Sequence, residues 1–216
     1  MPSTFKKFIE NLARGKAPGP SASFSMFHFF LALELMAKKP IGRNKLAKEL
    51  FVGDGAIRTI IRRLKEAELI TITKEGCKLT DEGLSVWKTF ESIFPKRLSL
   101  GETELTKAGP NFAFLIKDSG HKIKSGIEQR DAAIMGGAKR AVVIVSRENR
   151  LVIESISDDV AKEFPKAANQ IIESFKPEDN DVIIIASADN VLKAKRGAFA
   201  ASWILVGSKK KEQLLR

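Results

Sequence analysis

The chain has 216 residues, 44% of them hydrophobic and 29% charged, with a formal net charge of +11. That balance excludes a disordered tail and leaves room for two small domains or one larger one. The cationic surplus favours a polyanionic partner, nucleic acid or an acidic membrane surface. The single cysteine, Cys77, excludes an intrachain disulfide and a cysteine-based zinc site.

The surplus is uneven: residues 1–96 carry 17 Lys and Arg against 10 Asp and Glu, and residues 97–216 carry 20 against 16. The opening "MPSTFKKFIENLARGKAPGP" lacks the apolar core of a signal peptide. The run from Phe24 to Met36 is broken by His28 and Glu34 and is too short to span a bilayer. A cytoplasmic protein with no membrane partner is expected.

In chain order, residues 1–23 form an arm: a short helix over 4–14 and then "GKAPGPSAS", whose prolines and glycines make a strap. Residues 24–38 predict a strongly apolar helix stopped by Pro40 and Gly42, with His28 as a packed core residue. A second short helix follows over 43–50, a tight "FVGDG" connection, and a third helix over 55–68. The period then changes. "LITIT" (69–73) and "CKLT" (77–80) alternate as strands do, with "KEG" between them as a turn. Asp81 is expected to cap a fourth helix over 82–94, ended by Pro95. Helix, helix, helix, hairpin, helix is the order of a winged helix-turn-helix, here over residues 24–95.

Along the third helix, Ile57, Ile60, Ile61 and Leu64 fall on one stripe at 100° per residue. Gly55, Arg58, Thr59, Arg62 and Arg63 are assigned to the opposite side and its flanks. A helix entering a major groove brings its N-terminal residues to base edges. Gly55 and Thr59 permit close approach, and Arg58 and Arg62 are long enough to reach guanine edges or phosphates. Arg43, Asn44 and Lys45 open the preceding helix, where unpaired backbone N–H groups favour phosphate. Lys74 and Lys78 flank the hairpin tip. The alternative is an ordinary solvated face on which the arginines pair with Glu66 and Glu68.

Residues 96–111 are expected to be a linker. Residues 112–207 then predict strand 112–117, helix 125–135, strands 141–145 and 151–156, a helix over 159–175 interrupted at Pro165, strand 181–188 and helix 190–206. The fold class is therefore α+β: a winged helix-turn-helix domain followed by an α/β sandwich domain. The first six elements of the latter have the order βαββαβ of a ferredoxin-like unit, and a C-terminal helix follows. Strand order stays open at this stage. Residues 208–216, "SKKKEQLLR", form a basic tail.

In "SGIEQRD" (125–131), Ser125 and Glu128 have capping-box spacing. Arg130 and Asp131 share a helical stripe with Ile127 and Ile134, which suggests two buried charges needing partners. A structural ion pair, a small-molecule ligand held by Glu128, Arg130 and Asp131, or a twin subunit each satisfies that need. Gly126, Gly136 and Gly137 make no phosphate loop. His28 and His121 lie far apart, and no nucleophile–base arrangement is visible. Neither catalysis, nor a metal, nor a cofactor is expected. The small residues of "GAFAAS" (197–202) suit close packing against the domain's own sheet, with a dimer seam as alternative. The apolar helix 24–38 is a second dimer candidate.

"GKAPGPSASF", "IGRNKLAKEL", "GDGAIRTIIRRLKEAELI", "GCKLTDEG" and "GIEQRDAAIMGGAKRAVVIV" together resemble an archaeal family of winged-helix transcriptional regulators with a C-terminal domain of unknown function. The resemblance implies a cytoplasmic regulator that binds double-stranded DNA, and it supplies no ligand. The reading of the whole chain is a dimeric regulator whose second domain senses a small effector or holds the dimer. An enzyme with an appended winged helix, and a winged helix that binds RNA or protein, remain as rivals.

Overall fold

The computed structural model describes residues 2–14, 23–106 and 109–207. The basic tail and most of the glycine–proline strap lie outside the described residues. The chain divides into two units, Met1–Glu91 and Ser92–Arg216.

The first unit contains α1 (Pro2–Ala13), α2 (Met26–Lys38), α3 (Arg43–Leu50), α4 (Asp54–Glu66), β1 (Ile70–Thr73), β2 (Gly76–Leu79) and most of α5 (Asp81–Ile93). This is the element order expected from the sequence, with boundaries displaced by one or two residues. α2 is apolar all round and becomes the centre of the unit, buried without interruption from Phe27 to Glu34. Its Phe30 ring meets Trp87 and Phe90 of α5 at 5.8 and 5.2 Å, and Phe5 of α1 meets Phe90 at 4.9 Å. The surplus apolar surface that made α2 a dimer candidate is thus covered by helices of its own unit. His28 has a second duty beside packing: its Nδ1 accepts the Ser25 backbone N–H at 2.9 Å, closing the helix start.

Two local details were not predicted. Ile41 exchanges backbone hydrogen bonds of 3.0 and 2.9 Å with Cys77, adding a rung beside the β1–β2 hairpin. A Cβ on Gly76, whose φ is +124°, would stand 2.5 Å from the Ile41 carbonyl carbon, so this approach requires glycine. Thr80, not Asp81, caps α5: its hydroxyl accepts the Gly83 N–H at 3.0 Å and donates to the Glu68 carbonyl at 2.6 Å. The hydroxyl is one residue nearer the strand and reaches the N–H three positions on, leaving Asp81 inside the first turn.

The second unit contains β3 (Lys96–Leu100), β4 (Asn111–Ile116), a 3-10 turn (Gly120–Lys122), α6 (Ile127–Met135), β5 (Arg140–Arg147), β6 (Arg150–Val152), α7 (Val160–Glu163), α8 (Pro165–Phe175), β7 (Val182–Ser187) and α9 (Val191–Leu205). The sheet order is β3-β4-β7-β5-β6, with every neighbouring pair antiparallel. β7, the run "VIIIAS", is buried at every position and takes the centre. β4 and β5 both run antiparallel to β7, so the βαβ unit β4–α6–β5 is split by β7. β6 and β7 are likewise split by β5. The expected βαββαβα order is present, and the inserted strand is the last one. β5, with eight residues, lies inside its hairpin, and the three-residue β6 takes the edge.

β3 corrects the linker expected over 96–111. "KRLSL" pairs with β4 from Lys96 to Leu100 and lies at a sheet edge. Its Lys96 ammonium donates to the Phe175 carbonyl at 2.7 Å, at the C-terminus of α8.

One face of the sheet forms a core of Ala113, Leu115, Ile144, Ile183 and Ile185 with Ala168, Ile171 and Phe175 of α8. On the other face, the Phe114 ring packs against Phe94 and Phe199 at 5.4 and 6.2 Å. α6 lies against α9 through glycines: a Cβ on Gly136 would approach the Gly197 Cα to 3.0 Å, and one on Gly197 would reach the Ala138 Cβ at 2.6 Å. Within "GAFAAS", Gly197 and Ala200 therefore serve the α6–α9 seam within the unit. Arg196 Nε donates to the Gly136 carbonyl at 2.5 Å, closing the end of α6.

This seam reverses the expected orientation of α6. Gln129 and Ala133 are buried, whereas Ile127 and Ile134 are 50% and 44% exposed. Arg130 and Asp131 share the outer stripe and form an exposed ion pair at 3.7 Å, not a buried one. Close glycine-mediated contact needs the small-residue face inward, and this outweighs burying two isoleucines. The Ser125–Glu128 capping box is also absent: Gly126, at φ 74°, is the cap, and Ser125 Oγ accepts only the Ile127 N–H at 3.5 Å.

Candidate nucleic-acid interface

α4 is fixed by its apolar stripe: Ile57, Ile60, Ile61 and Leu64 are all buried. What remains outside is polar and cationic. α3 starts at Arg43 after Gly42, and Arg43, Asn44 and Lys45 are all exposed there. The β1–β2 hairpin stands on another side, with the two-residue turn Lys74–Glu75 at its tip. Between the start of α3, the outer face of α4 and the hairpin runs a groove of about 840 Å³, lined by Arg43, Lys45, Arg58, Arg62, Lys65 and Ile72 among others.

The expected residues separate into groups. Arg43, Asn44, Lys45, Arg58 and Arg62 meet around this groove. Gly55 and Thr59 lie on the same helix, Gly55 with open space where a Cβ would stand. The half-buried Thr59 donates its hydroxyl to the Gly55 carbonyl at 3.0 Å. Lys74 and Lys78 are exposed on the hairpin.

Arg63 is a correction. Its Nη1 donates to the carbonyls of Leu12 and Ala13 at 2.8 and 3.0 Å, and its guanidinium carbon lies 5.2 Å from the Phe24 ring centroid. It holds the C-terminal end of α1, away from the residues that line the groove. At 100° per residue it points more than a quarter-turn round the helix from Arg62, towards the side that α1 covers.

Two groove side chains, and an acidic partner of the groove arginines, were missed. Lys65 adds a cation on the outer face one turn after Ile61. Ile72 is an exposed hydrophobe inside a cationic groove, a placement that only the strand register reveals. Asp54 opens α4 and pairs with Arg58 at 2.7 Å and Arg43 at 3.8 Å. Arg62 pairs with Glu66 at 2.7 Å. Exposed pairs of this kind contribute little to stability and exchange readily for a phosphate or a base edge.

Cys77 lines the floor of the groove, and burial pushes its thiol up from the ordinary value, which disfavours the reactive thiolate. Among the described residues, no group of His, Cys, Asp and Glu is arranged to hold a metal ion. No described helix is long and apolar enough to cross a membrane.

Residues 29–94 match the family model of the CggR N-terminal DNA binding domain. The first unit is thus similar to a DNA-binding domain of that type. Residues 108–205 match a domain of unknown function, DUF4443. The chain is also similar to the solved structure of a hypothetical protein from Pyrococcus horikoshii OT3. The two share 27% identity with a TM-score of 0.68, over 85% of this chain and 93% of that one. No curated protein matches. The two family models together support a DNA-binding transcriptional regulator with a C-terminal domain of unknown function.

In the second unit, Glu128, Arg130 and Asp131 are exposed on the outer face of α6. The cleft beside Arg130 measures about 70 Å³ and is lined by Ser125, Gly126, Ile127 and Ile156 among others. Small-molecule sites run to roughly 300–1,000 Å³.

Proposed function

We propose that the protein is a winged-helix transcriptional regulator that binds double-stranded DNA as a homodimer and carries out no chemistry. The observation that supports this most is the cationic groove between α3, α4 and the hairpin, inside the segment matching a DNA-binding domain. In this reading α4 enters the major groove and Arg58 and Arg62 leave their acidic partners for base edges or phosphates. Arg43, Asn44 and Lys45 fix the backbone, and the hairpin acts as the wing, with Lys74 and Lys78 on adjacent phosphates. A DNA partner implies a cytoplasmic site of action.

For the second unit the geometry favours pairing over sensing. The charged side chains expected to hold an effector stand in solvent, and the cleft that Arg130 lines is too small for a metabolite of ordinary size. A metabolite that shifts DNA affinity or melting temperature would reinstate sensing.

Selection of duplexes from a random library, followed by salt-controlled binding, tests the function directly. An enriched motif is expected, with log affinity falling linearly with log salt. Equal or better competition by structured RNA, or no enriched motif, would overturn the DNA reading.

A further inference from the structure

The outer face of α6 carries four features that belong together. Ile127 and Ile134 are half-exposed, Arg130 and Asp131 lie between them as an exposed ion pair, and Met135 is 89% exposed. The cleft of about 70 Å³ opens beside Gly126 and Ile127, with Ile156, itself 70% exposed, on its rim. This is an apolar strip with a charged centre, projecting from the side of the helix opposite the α9 seam.

We infer that this face is the surface on which a second copy of the chain docks, with the two α6 helices antiparallel about a two-fold axis passing between residues 130 and 131. The inference rests on the dimeric reading above. A two-fold interface must be self-complementary, because the same patch is presented by both copies. The α6 sequence meets that demand residue by residue. An axis at that point sets Ile127 opposite the partner's Ile134, and Ile134 opposite the partner's Ile127. It sets Arg130 opposite the partner's Asp131, and Asp131 opposite the partner's Arg130. It also brings the partner's Met135 over Gly126, where the small cleft opens. A cleft of that volume holds about two waters and suits the end of one unbranched, polarizable side chain. A parallel arrangement would put Arg130 against its own copy and lose the charge match.

About six side chains on each copy is well below the 20–30 of a standard interface. Self-association is therefore weak, in the micromolar range, and is reinforced when two half-sites on one duplex hold the copies together.

Charge exchange in the full-length protein tests the register. Sedimentation velocity over low to high micromolar concentration should show wild-type dimers. Arg130→Asp places acid against acid and Asp131→Arg places base against base, so each variant alone should dimerise at least about tenfold more weakly. Mixed one to one, the two variants recreate both attractive pairs, and a heterodimer should reappear. Both residues are exposed, so melting temperatures of the monomers, read below the dimerisation range, should not move; Ile134→Glu gives an independent disruption. Dimers that persist in either single variant, or a mixture that stays monomeric while both variants fold, would overturn the α6 surface and leave the dimer reading standing. A wild-type protein that stays monomeric at every concentration, and also on a duplex with two half-sites, would overturn that reading and this surface together.

Discussion

Arg63 of α4 donates a hydrogen bond of 2.8 Å to the carbonyl of Leu12, at the far end of α1. A second bond, of 3.0 Å, goes to the Ala13 carbonyl. The last carbonyls of a helix have no partner within it and carry its partial negative charge, so a cation there is doubly favoured. Arg63→Ala should destabilise the first unit by about 1–3 kcal/mol, the range for a charged hydrogen bond lost from a partly buried site. The salt dependence of DNA binding by the folded variant should stay that of the wild type. Urea melts and a salt titration on the same preparation check both outcomes.

Arg58 and Arg62 should behave in the opposite manner. Either one changed to Ala should leave stability within about 0.5 kcal/mol, since only an exposed ion pair is lost. Each should weaken specific DNA binding by about 1–3 kcal/mol if its guanidinium reads a base. Lys65→Ala should instead weaken binding evenly across sequences and lower the salt slope by about 1. Unchanged affinity under controlled salt would remove the residue concerned from the interface.

Gly83 sits in the first turn of α5, where a Cβ would fall 2.0 Å from the Leu69 carbonyl oxygen. Alanine is the better helix former and would stabilise an isolated helix. Here the backbone of Leu69 cannot withdraw, because its carbonyl accepts the Thr80 N–H at 3.1 Å. Gly83→Ala should therefore lose about 1–3 kcal/mol, as overpacked sites do. A melting temperature at or above wild type would show that α5 can shift.

Lys117 joins Glu178 at 2.5 Å and the buried carboxylate of Asp181 at 3.0 Å. Burial acts to lower the Lys117 pKa, but the hydrogen bonds to the two carboxylates outweigh it and hold the group above its usual value near 10.5. A folded pKa above the unfolded one gives stability that is complete below about 10.4 and is lost as pH rises through the folded value. The stability difference between wild type and Lys117→Met should therefore be constant from neutral pH to about 10 and shrink above it. Denaturant melts across that range would reveal it, and a difference that grows with alkalinity would contradict the sign.

The α4 stripe of Ile57, Ile60, Ile61 and Leu64 is set by a period that any solvent exposes, so its inward face and the arginines opposite are legible without coordinates. The same holds for the hairpin, whose alternation and turn residues are local. β3 was hidden because a five-residue edge strand has no periodic signal to distinguish it from a linker. The groove was only half legible: Arg58 and Arg62 follow from the helix, whereas Ile72 and Lys65 join them through strand register and docking.

By itself, the sequence determined the order of elements apart from β3, the cationic outer face of α4 and the α+β class, since each depends on near neighbours along the chain. Tertiary structure alone decided three things: that Arg63 anchors α1 while Arg62 faces the groove, that β7 inserts between β4 and β5, and that α6 turns its isoleucines outward. All three depend on which surfaces meet across long stretches of chain. At α6, glycine-to-glycine contact with α9 outweighs an apolar stripe that periodicity would have buried.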